Sequence, residues 1–208
     1  MLFRSRKINH PIINMERSEN LIAALSEYGF QSSETRAIFL SKCTVKVYNK
    51  NELIFLEGKN NDSEYCLIEG LVHRFNINEQ RDQVTTGFYL AKSVITPHFA
   101  RTLKGKSLFS LQALAETQMA EFPVAIFNEL RYAHKAFQAF GQKVIEEEIS
   151  KNILADIAYR TSTAKERLLA LRASFPTLEN IVPHHIIASY LGITNVSFSR
   201  LRGELSRK

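Results

Sequence analysis

The sequence predicts an α+β fold: a sandwich or small barrel of short strands, one long helix, and a small C-terminal pair of helices. Three observations lead there. Short β-prone runs broken by Gly, Asn and Asp fill the chain from Cys43 to about Phe127. Apolar residues then recur at threes and fours from about Leu130 to Tyr159. Two further helix patterns, joined at Gly192, finish the sequence. With 208 residues, 45% of them hydrophobic, the chain can bury a sizeable core as one large domain or two small ones.

In chain order, Ser18 to Phe30 reads as a short helix capped by Ser18, with Leu21, Ile22 and Leu25 on one face. Ser32 or Ser33 caps a second, with Ala37, Ile38 and Leu40 inside. The strand-like runs are "TVKVY", "ELIFLEG", "EYCLIEG", "LVHRFNI", "QVTTGFYL", "SLFSLQAL" and "QMAEFPVAIF". Gly58 and Gly70 each end one, and "GKNNDS" is a turn cluster. Next, Phe137, Phe140, Val144, Ile145, Ile149, Ile153 and Ile157 define a single helix of ~30 residues, ~45 Å long. That exceeds what one small domain needs, and suits a bridge between domains or a pairing with a second copy. Thr163 and Glu166 have capping-box spacing ahead of Leu168, Leu169 and Leu171, Pro176 stops that helix, and "TLEN" reads as a loop.

The last stretch carries the functional signal. Pro183 suits a helix start, Ile186, Ile187, Tyr190 and Leu191 face inward, Gly192 supplies a left-handed turn residue, and Thr194 caps the final helix. Wound at 100° per residue, that helix puts Phe198, Leu201 and Leu205 on one face. Val196, Arg200, Gly203 and Arg207 lie opposite, flanked by Asn195, Ser197, Ser199 and Glu204. A small, polar, arginine-bearing face is what a helix in a DNA major groove needs. Arginine reads guanine, asparagine reads adenine, valine touches a thymine methyl, and serine or a helix N-terminus holds phosphate. His184, at the start of the preceding helix, is placed to approach a phosphate. The bland reading is a solvated basic surface helix; that it stands last, with no later element over it, favours the DNA reading.

These residues resemble the Crp/Fnr family of bacterial transcription regulators, in the family's order from about Leu40 to Lys208. "ELIFLEG" and "EYCLIEGLVHRF" come first, then the long helix, "ERLLAL" and "VPHHIIASYLGITNVSFSRLRGEL", the last similar to the Bacteroidetes branch. The resemblance implies a cyclic-nucleotide-binding-like jelly roll (double-stranded β-helix) over residues 1–129, a dimerisation helix over 130–160 and a helix-turn-helix domain over 161–208. It implies dimer contacts through Phe137, Phe140, Val144, Ile145, Ile149 and Ile153. Asn195, Val196 and Arg200 fall at the base-reading positions, and Asn-Val in place of an Arg-Glu pair implies a different operator. The two-stranded wing of some members has no room after Lys208.

Cyclic AMP is not expected. The family's binders hold its phosphate with a Gly-Glu turn and an Arg-Ser or Arg-Thr pair beside a strand, whereas this region reads "YLAKSVITPHFARTLKGKSLFSLQAL". Arg101, Lys104, Lys106 and Ser107 are the anion-binding candidates that remain, with lysine giving a point charge rather than a fork. Cys43 and Cys66 are too few for a four-cysteine cluster. His73 and His98 read as surface or core histidines, and the adjacent pair His184-His185 cannot share a metal from one helix face. No metal or cofactor is expected. No nucleophile–base set, Walker loop or GxGxxG is present, so the chain does not read as an enzyme.

Net charge is +6, which favours polyanionic partners. An N-terminus without a signal-peptide core, and two cysteines that make no disulfide framework, point to the cytoplasm. The expected partners are double-stranded DNA, a second copy of the chain, RNA polymerase and a small-molecule effector of unspecified chemistry, and not a membrane. The competing reading is a ligand- or partner-sensing β-roll with weak, sequence-blind DNA association, motivated by "LKGKS".

Overall fold

The computed structural model describes residues 32–206, with residues 19, 21–23, 25, 26, 28 and 30 before them. The Ser18 cap and Arg207 lie outside the described residues. The chain divides into two compact units, residues up to 73 with 88–148, and residues 74–87 with 149–208.

In the first unit, helix α1 (Ser33–Lys42) is capped by Ser32, whose side chain accepts from the Thr35 N–H. Its buried face is Thr35 and Phe39, while Ala37, expected inside, is exposed. Thr35 is buried at little cost because its hydroxyl donates to the Ser32 carbonyl at 3.0 Å.

Strands β1 (Thr44–Tyr48), β2 (Leu53–Phe55), β3 (Ser63–Glu69), β4 (Leu71–Ile77), β5 (Gln83–Leu90) and β6 (Ser93–Val94) follow. After a one-turn helix α2 (His98–Arg101) come β7 (Thr102–Leu103), β8 (Lys106–Ser107), β9 (Ser110–Ala113) and β10 (Thr117–Pro123). They form two four-stranded sheets, β1-β10-β3-β6 and β2-β9-β4-β5, with β7-β8 as a separate ladder. Strands distant in sequence pair, as in a jelly roll: Val45 opposes Ala120, which opposes Cys66. Tyr48, Phe55, Tyr65, Leu67, Val72, Ile95, Phe109, Leu111 and Met119 cluster in one core. Gly70 makes the turn between β3 and β4 at φ +102, and a Cβ there would lie 2.6 Å from the Glu116 carbonyl oxygen. Only glycine satisfies both the angle and the approach.

Pro123 ends β10, and helix α3 (Val124–Ala133) begins where the sequence pattern continued a strand to Phe127. Proline has no N–H for the ladder, and its fixed φ suits a helix start. The long helix is likewise two: α3 stops at His134, which has extended angles, and α4 (Lys135–Thr161) restarts beside it. The break has a packing reason. In one straight helix Phe127 and Phe137 would point about 80° apart. Both instead enter one aromatic cluster, 6.2 Å between ring centroids, with Phe30, Phe39, Phe122 and Phe140.

The second unit contains the rest of α4, then α5 (Ala164–Ser174), α6 (Leu178–Ile181), α7 (His184–Tyr190) and α8 (Asn195–Ser206). The capping box is present: Thr163 Oγ1 accepts from the Glu166 N–H, and Glu166 Oε2 accepts from the Thr163 N–H at 2.7 Å. Leu168 and Leu171 are buried and Leu169 is exposed. The "TLEN" stretch, read as a loop, forms the short helix α6, because Leu178 inserts into the core at 2% exposure. The start of β5 meets α7: the Ser189 hydroxyl accepts from the Thr85 N–H and donates to the Gln83 carbonyl, both at 3.0 Å. No helix among the described residues is long and apolar enough to cross a membrane.

Candidate nucleic-acid interface

Helices α7 and α8 meet at Gly192, whose φ is +67 and whose missing Cβ leaves room for the Tyr159 ring. Ile187 of α7, Leu191 just after it and Phe198 of α8 are each fully buried, so the helices are packed on one another. Thr194 caps α8, its hydroxyl accepting from the Ser197 N–H at 3.1 Å and bonding the Ser197 hydroxyl at 2.9 Å. With Phe198 inward, Thr194, Asn195, Val196, Ser197, Ser199, Arg200 and Gly203 are all exposed. Val196 is 71% exposed, a large value for an apolar side chain and one that packing within the chain does not explain.

Arg167 locks the turn from beneath. Its guanidinium donates to the Leu191 carbonyl at 2.8 Å and the Ser162 carbonyl at 2.6 Å, and lies 5.0 Å from the Tyr159 ring centroid. One cation thereby satisfies free carbonyls at the ends of two helices.

A second cation orients α8. Glu179 of α6 binds Arg172 Nε at 2.5 Å and Arg202 Nε at 2.8 Å, bridging α5 to α8. The Arg172 hydrogen bond holds the Glu179 carboxyl below its ordinary range, against the opposing effect of burial. Arg202 also approaches His184 Nε2 at 2.9 Å and lies over the Phe198 ring at 5.8 Å. His184, expected near a DNA phosphate, is thus half-buried against α8 and engaged with Arg202. The sequence pattern gave no role to Glu179, Arg202 or Arg167. The available signal was a single acid between basic helices. Arg200 and Arg202, two positions apart, differ in fate: Arg202 is held inward, whereas Arg200 is exposed and, among the described residues, has no ion-pair or hydrogen-bond partner.

The four anion-binding candidates occupy the α2–β8 segment. Arg101 has no exposed surface. It donates to Glu64 Oε2 at 3.1 Å, the Thr96 carbonyl at 2.8 Å, Asn61 Oδ1 at 3.2 Å and the Ser63 carbonyl, between the Phe55 and Tyr65 rings. Its charge is therefore already compensated. Burial raises the Glu64 carboxyl, an effect the neighbouring Arg101 opposes. Ser107 is buried and accepts from Asn61 Nδ2 at 3.2 Å. Lys104 and Lys106 are exposed around the β7–β8 turn, where Lys104 and Gly105 both have positive φ. Arg101 and Ser107 thus share Asn61, and the two lysines face solvent.

The helix residues assigned to dimerisation divide. Phe137 (0%), Phe140 (6%) and Val144 (5%) are buried within the protomer's own core, and Ile145 is half-buried. Ile149 (54%), Ile153 (55%), Leu154 (66%) and Ile157 (51%) are exposed further along α4. Both cysteine thiols are raised by burial, Cys43 to about 11 and Cys66 to about 12, so neither is a thiolate at neutral pH.

No protein-family model matches the chain. It is similar to electron transport regulator A of Shewanella oneidensis, 25% identical over 173 residues, covering 78% of this chain and 68% of that protein. FixK2 from Bradyrhizobium japonicum superposes with TM-score 0.66 and 16% identity, covering 79% of this chain and 85% of that one. The c-di-GMP-responsive global regulator CLP of Xanthomonas campestris gives 0.67 and 13%, covering 85% and 92%. A protein from Eubacterium rectale assigned to the Crp/Fnr family of transcriptional regulators gives 0.70 and 9%, covering 88% of each chain. At such identities the likeness is one of fold. The chain has the fold of the Crp/Fnr regulators: a cyclic-nucleotide-binding-type jelly roll, a long helix and a C-terminal helix-turn-helix.

Proposed function

We propose that the chain is a sequence-specific DNA-binding transcriptional regulator and not an enzyme, working as a homodimer. The observation that carries this reading is the outer face of α8. Asn195, Val196, Ser199 and Arg200 are exposed together on a helix whose inner face is anchored by Phe198 and whose orientation is held by the Glu179–Arg202 pair. Thr194 and Ser197 at its N-terminus suit phosphate, as does the positive end of the helix dipole. The exposed Ile149, Ile153 and Ile157 supply the dimer seam, which would set two copies of α8 about 34 Å apart on successive major grooves.

The reading includes an effector other than cyclic AMP, or none. Arg101 is fully buried and its two terminal nitrogens are bonded to Glu64, Asn61 and two carbonyls, so a phosphate would have to displace an existing ion pair in a roll filled by Phe55, Tyr65 and Phe109. CLP is c-di-GMP-responsive, but at 13% identity its effector does not carry over to this chain. Selection of bound sequences from a random DNA pool tests the proposal. Enrichment of a two-fold site with half-sites one helical turn apart is expected, and a flat distribution from a pool that the protein retains at low salt would overturn it.

A further inference from the structure

A partly open cleft lies in the first unit between the outer face of the β3–β10 sheet and the helices, walled by Phe122, Phe127, Phe140 and Val144, with Arg131 and Glu64 as its polar residues. Its enclosed space is about 30 Å³. That is room for about two waters or a short alkyl group. Water is a poor occupant, since each needs two to four polar partners. Here Glu64 is already bound by Arg101 and the His98 N–H, and the rest of the lining is almost all apolar.

Arg131 is different. Its Nε is buried without a hydrogen-bond partner, and among the described residues its guanidinium has no ion pair. It lies across Gly141 of α4, where an added Cβ would come within 3.4 Å of Nε. A glycine inside a helix costs about 1 kcal/mol relative to alanine. At position 141 it makes room for an uncompensated cation beside an apolar cleft.

We propose that this cleft binds a small carboxylic acid with a short alkyl chain. The carboxylate pairs with the Arg131 guanidinium, and the chain lies among Phe122, Phe127, Phe140 and Val144. The size of the cleft sets the chain length, and the sign of the unpaired charge sets the head group. Two walls, Val144 and Ile145, belong to the helix whose later turns carry the exposed Ile149, Ile153 and Ile157. The inference goes beyond the DNA-binding reading and does not rest on it.

The test uses the full chain and a matched pair of compounds, propanoate and propylamine, with binding followed by methyl chemical shifts and thermal melting. The acid is expected to shift the Val144 and Ile145 methyl signals and raise the melting temperature, with the amine weaker by about tenfold or more. Arg131→Met, which keeps the stem and removes the charge, is expected to abolish the preference for the acid while leaving the fold intact. Ala120→Val, on the cleft wall, gives a second reading that leaves Arg131 in place: it should weaken the acid by filling space. Equal response to acid and amine, or no response to either in the wild-type chain, overturns the proposal. DNA is absent throughout, so the result is independent of whether α8 reads an operator.

Discussion

Arg200 and Arg202 have the same chemistry and opposite environments, and the difference predicts separate phenotypes. Arg200 is exposed and without a partner among the described residues, so Arg200→Ala should leave the melting temperature within experimental scatter. Its loss should cost about 1–3 kcal/mol at one base position if it reads a guanine edge. Binding assays on the selected site and on single-base variants measure this. An equal loss on random DNA would make Arg200 a phosphate contact instead. Arg202 acts through Glu179, and so the matching variant is Glu179→Gln. Hydrogen bonds to charged partners place its cost at about 1–3 kcal/mol of stability near neutral pH. The sign of the pH dependence follows from the lowered folded-state value. The stabilisation is full above the unfolded value of about 4.3 and is lost as pH falls through the folded one. Wild type and Glu179→Gln should therefore converge in acid denaturation profiles, and a gap that persists at acid pH would rule this pair out as the source.

Helix α4 performs two tasks along its length. Its first turns contribute Phe137, Phe140 and Val144 to the protomer's core, and its later turns expose isoleucines. Three isoleucines at four-residue spacing in water are an unpaid apolar surface of the kind that marks association. The expected consequence is specific: Ile153→Asp should halve the sedimenting mass to that of one 23.8 kDa chain while the circular dichroism stays helical. Phe137→Asp should instead unfold the first unit, because a charge would be buried without a partner. A fully dimeric Ile153→Asp variant would exclude this stripe as the seam. The break at His134 belongs with this division of labour, since it turns Phe127 and Phe137 into one cluster.

Across the whole chain, the net charge of +6 is not evenly spread. Glu146, Glu147 and Glu148 put a negative run on α4, whereas Arg200 stands uncompensated on α8. DNA binding should thus weaken linearly in log K against log salt, with a slope of about 0.9 per phosphate neutralised. Measured from about 50 to 200 mM salt, a dimer touching several phosphates should lose several powers of ten in affinity. A salt-independent association would point to a different ligand for this face.

Local chemistry made much of this legible. The Thr163–Glu166 capping box, the Gly192 turn, the Thr194 cap and the period of α8 depend on neighbours three or four residues away, and the sequence carries them directly. The roll was readable as strands, because alternation and turn residues are local, but its pairing was not, because Val45, Ala120 and Cys66 meet across more than fifty residues. Phe137 and Ile153 obey the same helical period, so periodicity alone could not say which faces the protomer's own core and which faces out. Arg101 looked like a free anion binder until Glu64 and Asn61, some forty residues earlier, were brought against it. The sequence by itself determined most of the helix and strand segments and which face of the last helix is polar, since these follow from side-chain order along one backbone; the helix start at Val124, the break at His134 and the "TLEN" helix came from packing. Only the tertiary structure decided which charges are compensated, Arg101 and Arg202, and which remain open, Arg131 and Arg200. Compensation is a matter of distances between residues the chain keeps far apart.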